Sequence, residues 1–271
     1  MNMFAVDGSQ MAYQDVGQGP VILLGHSFLW DSHMWAPQIK ALSQHYRCIV
    51  PEFWSHGQSQ SAPSQTHCLK DYAQQVLALM DSLDIEKFVI VGLSVGGMWG
   101  SELTTLAPSR VQALVLMDTF VGLEPEVTHQ KYMQMLDTIA HLKTVPQPIV
   151  DAVSSLFFAN NAHQDSPELV NSFKQYLSNL TGERAVQIAR MGKIVFNRRD
   201  QMDELANFAL PVLIAVGQED NPRPVLESYL MQDSITNAQL IQIPNAGHIS
   251  NLEQPKFVTD MLRIFLGKVY S

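Results

Sequence analysis

The sequence predicts an α/β protein: a mostly parallel central sheet flanked by helices, with a helical segment inserted after the sixth strand. Short apolar runs bounded by turn residues recur, and they alternate with longer stretches of helical periodicity. From about 120 to 210 the rhythm changes, because patterns such as "HQKYMQMLDTIAHL" and "ELVNSFKQYLSNL" follow one another with no strand between them. No repeat and no Gly/Ser-rich linker divides the chain, and 271 residues with 46% hydrophobic content are enough to bury one full-sized core.

In order, "FAV" and "MAYQDVG" near the amino end read as an antiparallel pair, followed by strands at 20–25, 48–50, 88–92, 113–118, 211–217 and 239–244. Helices are expected over 32–45 after the cap candidate Asp31, over 68–83, where Leu69, Tyr72, Val76, Leu79 and Met80 share a face, and over 95–106. Two more are expected near 224–233 and 256–268. The predicted organisation is a core of 1–120 and 208–271, with a helical cap of 121–207 inserted as a lid over the sheet.

The net charge of −9 and the lack of any Lys/Arg run argue against nucleic acid or an anionic membrane as partner. No stretch has the roughly 18 consecutive apolar residues that a membrane-spanning helix needs, and the amino end lacks the basic and apolar regions of a signal peptide. The two cysteines, Cys48 and Cys68, read as reduced packing residues. Together these features point to the cytoplasm. No His/Cys/Asp/Glu cluster shows ligand spacing, so neither a metal nor a cofactor is implied.

The run "FVIVGLSVGGMWG" at 88–100 carries the chemistry. A strand gains nothing from Gly92 and Gly96, but both have a use if the chain reverses sharply around Ser94, where a Cβ would collide with neighbouring backbone. "GLSVG" fits the G-x-S-x-G elbow, in which a serine hydroxyl is lifted clear of the sheet between a strand and a helix. Such a hydroxyl needs a base and a group to orient that base. Of nine histidines, His45, His129, His141 and His163 lie in polar patterns, His33 and His67 sit at helix starts, and His26 and His56 belong to loops. His248, in "IPNAGHISNLEQP" just past the last strand, is the candidate base.

The orienting carboxylate is expected after the preceding strand, where "GQEDNPRP" offers Asp220 or Glu219; Asp220 is preferred for its shorter side chain, and Asp118 is a weaker candidate. Two backbone amides must face the developing oxyanion. Val95 supplies one by position, and Phe28 the other, with Ser27 as its neighbouring alternative in a loop where Gly25 permits a tight turn. Trp30, Trp54 and Phe120 are candidate substrate contacts, and Met133, Met135, Phe157, Phe158 and Met191 candidate cavity lining from the insertion.

The motifs "GHSFLWDSHMW", "PEFWSHGQS", "GLSVGGM", "GQEDNPRP" and "AGHISNLEQP", in that order, resemble those of the α/β-hydrolase superfamily, in its small serine esterase, enol-lactonase and perhydrolase-like branch. The resemblance implies the α/β-hydrolase fold, a Ser94–His248–Asp220 triad and oxyanion donors Phe28 and Val95. Relatives usually have glycine where this chain has Ser27, and a charged residue where it has Trp54. The expectation is a serine hydrolase acting on small-molecule carboxylic esters. The same triad could open a lactone, cleave a C–C bond or use peroxide, and some relatives keep the fold as non-catalytic receptors.

Overall fold

The computed structural model describes residues 1–270. Eight strands form one sheet: β1 (Asn2–Val6), β2 (Ser9–Val16), β3 (Val21–Gly25), β4 (Arg47–Pro51), β5 (Phe88–Leu93), β6 (Val111–Met117), β7 (Val212–Gly217) and β8 (Gln239–Ile243). Their spatial order is β1-β2-β4-β3-β5-β6-β7-β8. β1 and β2 form the antiparallel pair expected from the sequence, β2 meets β4 antiparallel, and every later pairing is parallel.

β5 and β7 are buried along their whole length, which explains their near-continuous apolar composition without alternation. After β3 the chain steps outward to β4, then crosses back so that β5 lies on the other side of β3. The loops leaving β3 and β5 therefore diverge at the carboxyl edge of the sheet, where α/β folds open a crevice.

The helices are α1 (Ala36–Leu42), α2 (Leu69–Ser82), α3 (Val95–Leu106), α4 (Glu126–Leu142), α5 (Gln147–Phe157), α6 (Ala162–Asp165), α7 (Pro167–Asn179), α8 (Gly182–Phe196), α9 (Met202–Leu205), α10 (Val225–Ser234), α11 (Ser250–Glu253) and α12 (Pro255–Val269). α1 packs on α12, α2 on α3, and α3 lies across β3, β5 and β6. The helix expected over 32–45 is shorter than predicted. Asp31 caps a 3₁₀ turn at Ser32–Trp35 by accepting the His33 N–H at 2.9 Å, and Pro37 in the first turn of α1 starts a separate helix.

Between β6 and β7 the chain is helical from α4 to α9, with only an isolated Thr144–Thr181 bridge. α4 packs on α8 and α5 on α7. The expected second core segment, 208–271, ends on a residue outside the described ones. Cys48 is buried and burial pushes its thiol up to about 12, whereas Cys68 is exposed at the start of α2 rather than packed as expected. Among the described residues no helix is long and apolar enough to cross a membrane.

Candidate active site

Ser94 is the single residue between β5 and α3, with φ 57° and ψ −119°. A non-glycine residue there costs roughly 1–3 kcal/mol and persists only when its surroundings fix it. The Ser94 N–H donates to the Met117 carbonyl at 2.9 Å, and the Ser94 carbonyl accepts from Thr119 Oγ1 at 2.6 Å and from the Gly97 N–H at 2.9 Å. The flanking glycines are steric requirements. A Cβ on Gly92 would lie 2.3 Å from the Gly96 carbonyl carbon, and one on Gly96 would lie 2.2 Å from the Gly25 carbonyl oxygen. Gly25 serves this same close approach of α3 to β3, since a Cβ on it would meet Gly96 Cα at 2.7 Å; the left-handed residue of its loop is Leu29, with φ 67°.

The elbow brings Ser94 Oγ to 2.9 Å from His248 Nε2, and His248 Nδ1 lies 3.0 and 3.1 Å from the two carboxylate oxygens of Asp220. All three residues are buried. The network assigns the proton of a neutral imidazole to Nδ1, donated to Asp220, leaving Nε2 to accept from the serine. The ring of Phe157 stands edge-on to His248 at 5.1 Å, and the His248 N–H donates to the Phe157 carbonyl at 3.0 Å, so this histidine is held from the helical segment.

Glu219 instead accepts the Asn160 N–H at 2.9 Å. Asp118 accepts the Gly217 N–H at 2.8 Å and pairs with Ser250 Oγ. Burial, reinforced by the nearby charge of Asp220, raises the Asp118 carboxyl well above its ordinary range.

The loop after β3 is held by two histidines that sequence reasoning left without a role. His26 Nε2 accepts the Phe53 N–H at 2.8 Å while its Nδ1 faces the Ser27 carbonyl at 2.8 Å. His56 Nε2 accepts the Leu29 N–H at 3.1 Å while its Nδ1 faces the Trp54 carbonyl at 2.9 Å. Both are therefore neutral Nδ1–H tautomers. Burial, aided by the neighbouring His26, pushes His56 down to about 3, and burial lowers His26 as well. The Ser27 N–H points at Met34 Sδ, 3.3 Å away, while the amides of Phe28 and Val95 donate to no other protein group among the described residues. That leaves Phe28, beside Ser94 on the same cavity wall, as the open amide of the pair.

The cavity over Ser94 and His248 has a volume of ≈ 90 Å³ and is lined mainly by apolar side chains of the insertion. Met135 and Phe157 line it as expected, but Met133, Phe158 and Met191 do not. Trp30, Trp54 and Phe120 are likewise away from its wall. Trp30 stacks on Phe173 at 4.9 Å and meets Phe158 edge-on, Trp54 is fully buried with its indole N–H on Gln75 Oε1 at 2.7 Å, and Phe120 packs beside Gly122. In each case a large ring is absorbed by local packing, the commoner fate of an aromatic side chain.

Tyr132 and Arg223 are lining residues that sequence reasoning missed, and they are its polar groups besides Ser94 and His248. Among the described residues one cluster, Asp31, His33 and Glu52, places possible metal-ligand atoms within 4.8 Å of one another. Asp31 and His33 are two residues apart, whereas Glu52 joins them only once the chain is folded. Asp31 is engaged in its cap, and Glu52 accepts from Ser32 Oγ at 2.7 Å.

The family model for the alpha/beta hydrolase fold matches residues 20–255. The 3-oxoadipate enol-lactonase 1 of Acinetobacter baylyi is 25% identical over 255 residues, covering 93% of this chain and 89% of that protein. Among solved structures, a thermophilic esterase from Thermogutta terrifontis has a TM-score of 0.89 at 27% identity over 99% of this chain and 97% of that one. A hydrolase from Pseudomonas aeruginosa has a TM-score of 0.87 at 27% identity over 98% of each chain.

Proposed function

Because the chain belongs to the α/β-hydrolase family, matched over residues 20–255, we propose that it is a serine hydrolase cleaving carboxylic esters of small to medium acyl or alkyl groups. The observation that carries this reading is the 2.9 Å contact of Ser94 Oγ with His248 Nε2, backed by Asp220 on the far side of the ring. His248 Nε2 takes the Ser94 proton as Oγ attacks the carbonyl carbon, and the carbonyl oxygen becomes an oxyanion facing the Phe28 and Val95 amides. Collapse of this intermediate breaks the bond to the alcohol oxygen, which leaves with the proton held by His248. Water then repeats the sequence on the acyl-serine, releasing the acid and restoring the serine. Asp220 keeps the imidazole in one tautomer and offsets its transient positive charge.

The helices from α4 to α9 act as the lid in this reading. Its support is the mixed wall of the cavity, which joins Ser94, Phe28 and His248 of the core to Leu136 and Phe157 of the insertion. An apolar space of ≈ 90 Å³ suits a small group, given that about 150 Å³ accommodates benzene. A lactone is an ester closed into a ring, and the 25% identity to an enol-lactonase favours including such substrates. The free state of Cys48 and Cys68 supports a cytoplasmic setting. Ser94→Ala tests the reading: the folded variant is expected to lose p-nitrophenyl ester hydrolysis, and retention of the parent rate overturns it.

A further inference from the structure

Arg223 belongs to the loop that also carries Asp220, and its backbone N–H donates to Asp220 Oδ1 at 2.9 Å. Its side chain, only 4% exposed, lies on the cavity wall beside Tyr132. The guanidinium is part of a buried cluster. Arg223 Nη2 lies 2.6 Å from each oxygen of Glu124, and Arg198 Nη1 lies 2.7 Å from the first of them. Arg223 Nη1 sits 3.4 Å from Glu227 Oε2, too far for a good hydrogen bond.

Donors outnumber acceptors here. Arg223 Nη1 and Arg198 Nε and Nη2 are buried without hydrogen-bond partners, and Glu227 Oε2 is unpaired as well. A buried guanidinium nitrogen without an acceptor is costly, and such a group beside a ligand cavity is satisfied when the ligand brings the acceptor. The charge count points the same way. Burial works against the charge on Glu124, but Arg223 and Arg198 outweigh it and hold this carboxyl below its ordinary range. Burial pushes Glu227 up to about 7, so near neutral pH two guanidinium groups face one full negative charge and one partial one.

We propose that the cavity selects esters whose acyl chain ends in a carboxylate, received by Arg223 with the Tyr132 hydroxyl beside it. The rest of the wall is apolar, so the chain between the ester and the acid should be hydrocarbon. The proposal rests on Ser94 being the nucleophile of an ester hydrolase, and it adds the class of acyl group.

The experiment compares kcat/KM for the monomethyl esters of straight-chain dicarboxylic acids with that for methyl esters of monocarboxylic acids of equal length, followed by acid release. The leaving group is the same in each pair. The parent protein is expected to favour the acid-terminated ester by about tenfold or more, the scale of a charge-assisted hydrogen bond. Arg223→Met should lose that preference and Tyr132→Phe reduce it. Equal or better turnover of the neutral ester by the parent protein overturns the proposal and leaves the esterase reading intact.

Binding is read separately in Ser94→Ala, which cannot turn over. Hexanoate should raise its melting temperature more than hexanamide at equal concentration, and an equal shift counts against the proposal even if no ester is hydrolysed. If Arg223→Met does not fold, the parent comparison and this shift still decide the matter.

Discussion

His56 Nε2 accepts the Leu29 N–H at 3.1 Å where the Leu29 backbone turns left-handed at φ 67°, so a buried imidazole fixes the residue next to Phe28. Its neutral form makes that bond, and the direction of its titration follows. Burial lowers the folded-state value from 6.5 to about 3, so the unfolded chain binds this proton first as pH falls. The stabilising contribution is complete above pH 6.5 and is lost progressively as pH falls toward about 3. Chemical denaturation across this window should show the parent losing stability with acid more steeply than His56→Gln. At neutral pH the substitution should cost about 1–3 kcal/mol through the orphaned Leu29 amide, and lower kcat more than it raises KM.

Glu253 gives the opposite slope. Its carboxylate accepts the Ala159 and Gly247 amides, each at 2.8 Å, tying the segment after α5 to the loop that carries His248. Burial raises its folded-state value from 4.5 to about 7, so the folded protein holds the proton that the unfolded chain releases. Its contribution is therefore complete below pH 4.5 and declines as pH rises through about 7. Glu227 titrates over the same range for the same reason. The stability difference between the parent and Glu253→Gln, measured by denaturant titration, should shift against the parent as pH rises across this interval.

Two glycine substitutions separate steric need from conformational preference. Gly96→Ala drives a Cβ to 2.2 Å from a backbone oxygen that cannot rotate away, and should cost about 3 kcal/mol or more. Gly267, exposed in α12 with open space around its Cβ position, should gain about 0.5–1 kcal/mol as alanine. Thermal unfolding of the two variants should move in opposite directions.

The residues whose placement follows from the order of strands were legible in the sequence. Strands β3 to β8 follow from apolar runs, and Ser94, His248 and Asp220 from their places at strand ends, because topology fixes which loops share the carboxyl edge of the sheet. Gly92 and Gly96 were readable because few other pressures put glycine on both sides of a serine where a buried strand passes into a helix. The cavity wall was not legible in this way. Trp30, Trp54 and Phe120 were candidate substrate contacts, yet whether a ring faces a cavity or a neighbour depends on helix packing across the insertion, which periodicity does not encode. Arg223 and Glu124 escaped for a related reason. They are far apart in sequence and meet only once the chain is folded, with Arg223 Nη2 2.6 Å from Glu124 Oε2.

The central claim is that Ser94 is a nucleophile activated by His248. Intact-mass analysis after exposure to a p-nitrophenyl alkylphosphonate tests it, with peptide mapping to place the adduct. A single adduct on Ser94 is expected in the parent protein, none in Ser94→Ala, and labelling slower by about a hundredfold or more in His248→Ala. An unlabelled parent protein, or one labelled equally fast without the imidazole, would contradict the claim.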